Sequence, residues 1–537
     1  MSEYTAISFA PVQGFIEKSR KLRDLYGSSG ILSYLSHQLI SKAVEKLGEE
    51  SIISPGMINI QKGMPNRILL YGEFSRDEAK NTVLKAWQTI LDFCRHWIEE
   101  QVPAKDKYHW EQEWIRWGLY TWEIFWGHGE NSAAAMKDLE TRKLRRDWVA
   151  INWMGESSSL TGTDAIAWSK LGLDDSNPGR RLTEAEKEEL DDFYNRLSRV
   201  LENCPSDQEP EGKFLAPNER ISVPELVKRL VTREDLAKKL NITELETGFT
   251  EIVRMPEKGG ESGRWTGWFM GDGDKVGDKI KEISDKEGDA GIKTFSHAMR
   301  HWGESFGYNF PKDQGRVIYA GGDDFLGVLY TDQHSTPLQP LDAFSWLRQL
   351  PQEWAKHQQD ITLSVGFVWA APSVPQRDIL QHCRDAEKQA KNLGRDRVTI
   401  RVVFNSGQYV QWTCPWDYLH VLQNYRDRDG KIWGEHPNWS HVYSDWGQLK
   451  ARHAIELKEK SDDVDHQIAL ALFDLYFRDR SPRTDGLKPI NQKYLTDSKH
   501  SKHIIKKLSD TDVISPAEFI EWLDGLINIG WQLCSNS

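Results

Sequence analysis

The chain has 537 residues, enough for three or four structural units with ample apolar material for their cores. Its 69 basic and 81 acidic side chains leave a formal charge of −12, which excludes a protein whose whole surface grips a nucleic-acid backbone and leaves only local contact with one. Five widely spaced cysteines without a CxxC pair exclude a disulfide framework and a zinc signature, and with neither a signal peptide nor an apolar run of about 18 residues a cytoplasmic protein without membrane contact is expected.

The first predicted strand covers residues 4–9, and a turn at Ala10-Pro11 leads into a helix-compatible stretch through Gly48. Short strands over 57–61 and 67–72, a helix over 76–101 and an alternating run over 119–126 complete the order strand, helix, strand, strand, helix, strand. That is a ferredoxin-like half. Residues 131–263 read as an inserted helical layer, with linker-like punctuation at 174–179 and 204–212. Thr183 and Glu186 form a capping box there, followed by Leu190, Phe193, Tyr194, Leu197 and Leu201 at helical spacing.

The strand and helix alternation then returns. Strands are predicted over 265–270, 316–320, 325–331, 361–370 and 397–404, and helices over 276–306, 340–357 and 376–392. From Thr413 the pattern is helical. The expected class is α+β: two ferredoxin-like domains (1–130 and 264–412), an inserted helical domain (131–263) and a helical C-terminal domain (413–537). The 23 tryptophans are assigned chiefly to cores and interfaces, not to base stacking.

Two acidic clusters fall where strands end, Gly271-Asp272-Gly273-Asp274 and Gly321-Gly322-Asp323-Asp324. In a ferredoxin-like sheet these ends are neighbours, so Asp272, Asp323 and Asp324 can converge, and hard carboxylate oxygens suit Mg²⁺ or Mn²⁺. Such ions would serve a nucleotidyl transfer, and Gly273 and Gly322 would let a triphosphate approach the backbone. Gly-Gly-Asp-Asp is also ordinary hairpin chemistry, and that alternative stays open on the motif alone. Lys388, Lys391 and Arg395 end a helix in a basic turn, which suits either a triphosphate or the helix macrodipole.

The hairpin, Asp272 and the Ala390-Lys391-x-x-Gly394-Arg395 turn resemble the nucleotide-cyclase palm shared by diguanylate cyclases and the large subunit of type III CRISPR effectors. Residues 7–16, Ile-Ser-Phe-Ala-Pro-Val-Gln-Gly-Phe-Ile, with 19–26 and 31–33, are similar to the first Palm of the CRISPR subunit. The resemblance implies two Palm domains, a place in a crRNA and target RNA assembly with other effector subunits, and conversion of ATP to cyclic oligoadenylate. It implies a catalytic and metal-binding role for Asp323 and Asp324, metal binding for Asp272, and donor-nucleotide contacts from Gly273, Asp274, Gly321, Gly322, Lys391 and Arg395. Arg23, Ser28 and Ser29 would meet an acceptor nucleotide, although the run Lys18, Arg20, Lys21, Arg23 is read first as a solvated helix face. With no His-Asp dipeptide and no cysteine in 155–162, neither HD nuclease activity nor a structural zinc is expected. The competing functions are a catalytically silent scaffold of the same complex and a diguanylate cyclase.

Overall fold

The computed structural model describes residues 4–56, 63–146, 156–173, 181–205, 207–216, 218–245, 249–255, 263–331, 336–457, 463–480, 487–491, 495–496, 504 and 515–535. They divide into two compact units. One holds Met1–Ile252, Gly277–Gly307 and Ile318–Gly322, the other Val253–Val276, Tyr308–Val317 and Asp323–Ser537. Among the described residues no helix is long and apolar enough to cross a membrane.

In the first unit, β1 (Tyr4–Ala10), β2 (Ile52–Ser54), β3 (Arg67–Tyr71) and β4 (Glu123–Gly129) form an antiparallel sheet in the order β2-β3-β1-β4. β1 lies mid-sheet and is buried from Thr5 to Phe9. The helix Leu22–Leu47 follows β1, and Arg76–Gln101 follows β3, started by a capping box in which Ser75 Oγ accepts from Glu78 N at 3.2 Å. The predicted strand over 57–61 lies outside the described residues. The expected strand over 119–126 is corrected: Leu119 and Tyr120 close a helix, Glu111–Tyr120, and β4 begins at Glu123. Aromatic residues suit either structure, and burial decides here, because Trp114 packs edge-on to Trp110 with centroids 5.3 Å apart.

The helix Ser132–Lys143, expected in the helical insert, instead covers this sheet: Ala135 and Leu139 share a core with Ala6, Ile53, Leu69, Phe125 and Ile292. Glycine permits the close approach, since a Cβ at Gly127 would lie 2.4 Å from Leu139 N. The helices Glu184–Glu202, Val223–Leu230 and Glu234–Leu240 lie in the stretch read from the sequence as a helical insert.

The second sheet comprises β5 (Thr266–Gly273), β6 (Gly315–Ala320), β7 (Asp324–Leu329), β8 (Leu363–Ala370), β9 (Arg397–Val403) and β10 (Tyr409–Pro415), in the order β10-β9-β8-β5-β7-β6. β5 is antiparallel to both β7 and β8, and β9 runs parallel to β8. The expected domain limit at residue 412 falls inside β10. That strand is half exposed at its start and buried at its end, so it shows no clean alternation. The helix Pro516–Cys534 packs on it, with Trp522 Nε1 donating to Thr413 O at 3.1 Å.

The helix Gln376–Asn392 lies on β8 because Gly366 has no side chain: a Cβ there would stand 2.2 Å from Cys383 O and 2.5 Å from Glu387 N. Gly366→Ala is therefore expected to push this helix off the sheet and to destabilise the protein by roughly 1–3 kcal/mol, measurable as a lowered unfolding temperature.

Candidate active site

The β5/β7 register places Asp272 directly opposite Asp324. Gly273 N donates to Asp323 O at 2.8 Å, so the strand end and the hairpin turn are fastened together one residue further on. The three aspartates singled out in the sequence are thus brought to one end of the second sheet. Opposed residues of an antiparallel pair carry their side chains on the same face, so two carboxylates face each other without an intervening residue.

That arrangement is electrostatically costly. The Asp324 carboxyl is pushed up from 3.8 to about 7, by the protein crowded around it, then by the charges of Asp323 and Asp272, against a lowering by Lys391. The carboxylate is nonetheless exposed at the surface, where the charges of Asp323 and Asp272 both disfavour its ionised form. Oxygen donors that repel one another in this way fit a hard divalent cation, which removes the repulsion on binding.

Lys391 reaches the same place from the helix Gln376–Asn392. Its ammonium pairs with Asp272 Oδ2 and, at 2.6 Å, with Glu387 Oε1 one turn earlier on its own helix. Glu387 lies on the buried face with Ile379, Leu380, Cys383, Ala386 and Ala390. Sequence reasoning passed over it. Its spacing from Cys383 and Ala390 was the available signal.

Asp274 has a structural task. Its carboxylate accepts from Ser364 Oγ at 2.7 Å, Thr362 Oγ1 at 2.8 Å and Asp396 N at 2.9 Å. Those bonds hold the turn in which Gly394, Arg395 and Asp396 all have positive φ (121°, 65° and 51°). Arg395 is exposed on that turn. Gly322 has φ +134°, and a Cβ there would make only an ordinary contact, with Met299 Cβ at 3.9 Å. Gly321 is buried beside it. At Gly273 a Cβ would instead lie 2.9 Å from Val276 Cγ2 and 3.3 Å from Asp323 Cβ, so its lack of a side chain serves close packing.

The residues expected to meet a second nucleotide sit elsewhere, in the first unit. Ser28 is fully buried and donates to Asp24 O at 2.7 Å, and Ser29 is 4% exposed. Arg23 donates to Glu251 Oε1 at 2.7 Å and lies 3.7 Å over the Phe214 ring. The solvated helix face expected of the basic run is corrected, because Lys18 pairs with Asp164, Lys21 donates to Gly212 O and Arg23 is buried. Behind them Arg229, without exposed surface, joins Asp24 and Glu219, each at 2.7 Å. A separate group could also hold a metal ion: Asp427, Asp429 and His441 each offer one ligand atom within 4.8 Å of the others. Both oxygens of Asp427 already accept backbone N–H groups, from Lys431 and Asn438 at 2.8 Å, so that loop is closed without a cation.

The opposed acidic strand ends and the Gly-Gly-Asp-Asp turn lie within a stretch that one of the comparisons matches. Residues 266–399 match the Cas10/Cmr2 second palm domain, and residues 4–92 match the N-terminal region of the CRISPR-associated protein Cmr2. Two separate stretches of the chain are thus similar to Cas10/Cmr2-type Palm-domain proteins. A stretch of 121 residues is 30% identical to the CRISPR system Cmr subunit Cmr2 of Pyrococcus furiosus, spanning 21% of this chain and 13% of that relative. In fold, the chain is similar to the cryo-EM structure of the type III-B Cmr-beta in its apo state, with a TM-score of 0.57 at 11% identity over 98% of this chain and 82% of that one. It is equally similar to the Cmr-beta bound to cognate target RNA, with a TM-score of 0.57 at 11% identity over 98% and 83%.

Proposed function

We propose that the chain is the large subunit of a type III CRISPR RNA-guided effector complex and that its second unit converts ATP to cyclic oligoadenylate. The observation that carries this reading is Asp272 set opposite Asp324, beside Asp323, within the stretch that matches the second palm. On this reading both sheets are ferredoxin-like Palm domains: the order β4-β1-β3-β2 recurs as β8-β5-β7-β6, with the same succession of strands and helices. The helices that lie between them in the sequence form an inserted helical domain, and the residues after β10 form a helical C-terminal domain.

Asp272, Asp323 and Asp324 would hold Mg²⁺ or Mn²⁺, which when bound neutralises the triphosphate and activates the attacking hydroxyl. The chain's own part is positioning. Asp274 fixes the turn that presents Arg395, and Lys391 stands ready for phosphate oxygens. A ribose hydroxyl of one nucleotide would attack the α-phosphorus of the next as pyrophosphate departs. Other effector subunits, crRNA and target RNA are the partners this reading calls for, supported by the likeness to a Cmr-beta bound to cognate target RNA.

The assembled complex, given ATP, Mn²⁺ and complementary RNA, is expected to yield cyclic oligoadenylates detectable by mass spectrometry, and Asp323→Ala with Asp324→Ala to yield none. An unmutated complex without product would leave the chain a scaffold.

A further inference from the structure

Three carboxylates gathered at one strand end need a positive charge even before any divalent cation arrives, and among the described residues Lys391 supplies one. Its ammonium touches Asp272, the partner of Asp324 in the β5/β7 ladder, while Glu387 grips it from behind. The grip is built in. The Glu387 side chain is only 10% exposed, it lies on the sheet-facing side of its helix, and Gly366 lets that helix seat against β8 at this turn.

We infer that Lys391 is the resident counter-cation of the acidic cluster, clamped by Glu387 against Asp272 and displaced only when a divalent cation arrives together with a nucleotide. The inference rests on the Palm reading and deepens it. A bare cation must compete with the ammonium for Asp272 and, on winning, leaves a charged lysine with Glu387 alone. A cation carried by a triphosphate brings phosphate oxygens that accept the displaced ammonium, so charge balances on both sides of the exchange. Metal and nucleotide are thereby coupled, each favouring the other by the same factor. Lys391 and Glu387 are positioning residues in this scheme: they set which ligand form can enter.

The test is Mn²⁺ binding to the full chain at low ionic strength, followed by electron paramagnetic resonance, with and without a non-hydrolysable ATP analogue. Lys391→Met is expected to tighten Mn²⁺ binding without nucleotide by about tenfold, since a unit charge beside the site is removed, and to abolish most of the enhancement by the analogue. Lys391→Arg, which keeps the charge, is expected to behave as the unmutated chain does. Damage to the fold would weaken Mn²⁺ binding, so tightening has no merely structural explanation. If Lys391→Met binds Mn²⁺ no more tightly than the unmutated chain while Asp324→Asn still removes binding, the counter-cation role is overturned and the Palm site stands. If Mn²⁺ binding in every variant ignores Asp324→Asn, the Palm reading falls and takes this inference with it.

Discussion

Asp324→Asn is expected to lower cyclic oligoadenylate synthesis about a thousandfold and, in the same protein without metal, to raise the unfolding temperature at pH 8. The two effects have one cause. With its carboxyl pushed up from 3.8 to about 7, the folded chain keeps a proton on Asp324 over a pH range in which the unfolded chain has already lost it. Stability from this group therefore falls as pH rises from about 4 towards 7, and above that range the full repulsion with Asp272 and Asp323 is present. Asparagine removes the repulsion, so its advantage is largest at pH 8 and vanishes near pH 4. Because the residue is exposed, solvent screening holds the gain to roughly 1 kcal/mol. Excess Mn²⁺ is expected to reverse the order at pH 8, since the cation stabilises only the aspartate form. Thermal unfolding at pH 5 and 8, with and without Mn²⁺, tests all of this. An asparagine variant less stable than the parent under metal-free conditions at pH 8 contradicts the account.

The same electrostatics separates what the sequence discloses from what it hides. The helix Gln376–Asn392 was legible to the residue, and Arg76–Gln101 likewise, because caps and apolar spacing are local signals. The convergence of Asp272 with Asp324 was legible too, since strand order alone makes those ends neighbours. β10 was not: its solvent exposure changes along its length, so no period of two survives. The short helix at Glu111–Tyr120 was hidden by its aromatic residues, which suit a strand equally well until Trp114 finds Trp110. Glu387 and Arg229 look like ordinary surface charges because what makes them otherwise is a partner or a packing face supplied by distant chain. Asp24 stands 205 residues before Arg229, and no local pattern connects them.

Arg229 carries the largest expected effect on stability. The guanidinium donates from Nε to Asp24 Oδ1 and from Nη1 to Glu219 Oε2, each at 2.7 Å, and from Nη1 to Phe214 O at 3.0 Å. Asp24 and Glu219 are 2% and 1% exposed. Burial alone would raise both carboxyls, yet Arg229 outweighs it and holds each below its ordinary range. Arg229→Met keeps the volume but strands two buried carboxylates, which is expected to cost about 3–5 kcal/mol at pH 7.5. The pH dependence has a definite sign. In the parent, carboxyls held low contribute stability above their ordinary pKa and lose it as pH falls through the folded value. In Arg229→Met the same carboxyls are raised by burial and become neutral in mild acid, so the deficit between variant and parent shrinks from pH 7.5 to pH 5. Adding Asp24→Asn to Arg229→Met should recover part of the loss at pH 7.5, because one stranded charge is gone. Urea unfolding followed by tryptophan fluorescence at both pH values measures these differences. A deficit that stayed constant with pH would mean that lost packing around the guanidinium, and not stranded charge, sets the cost.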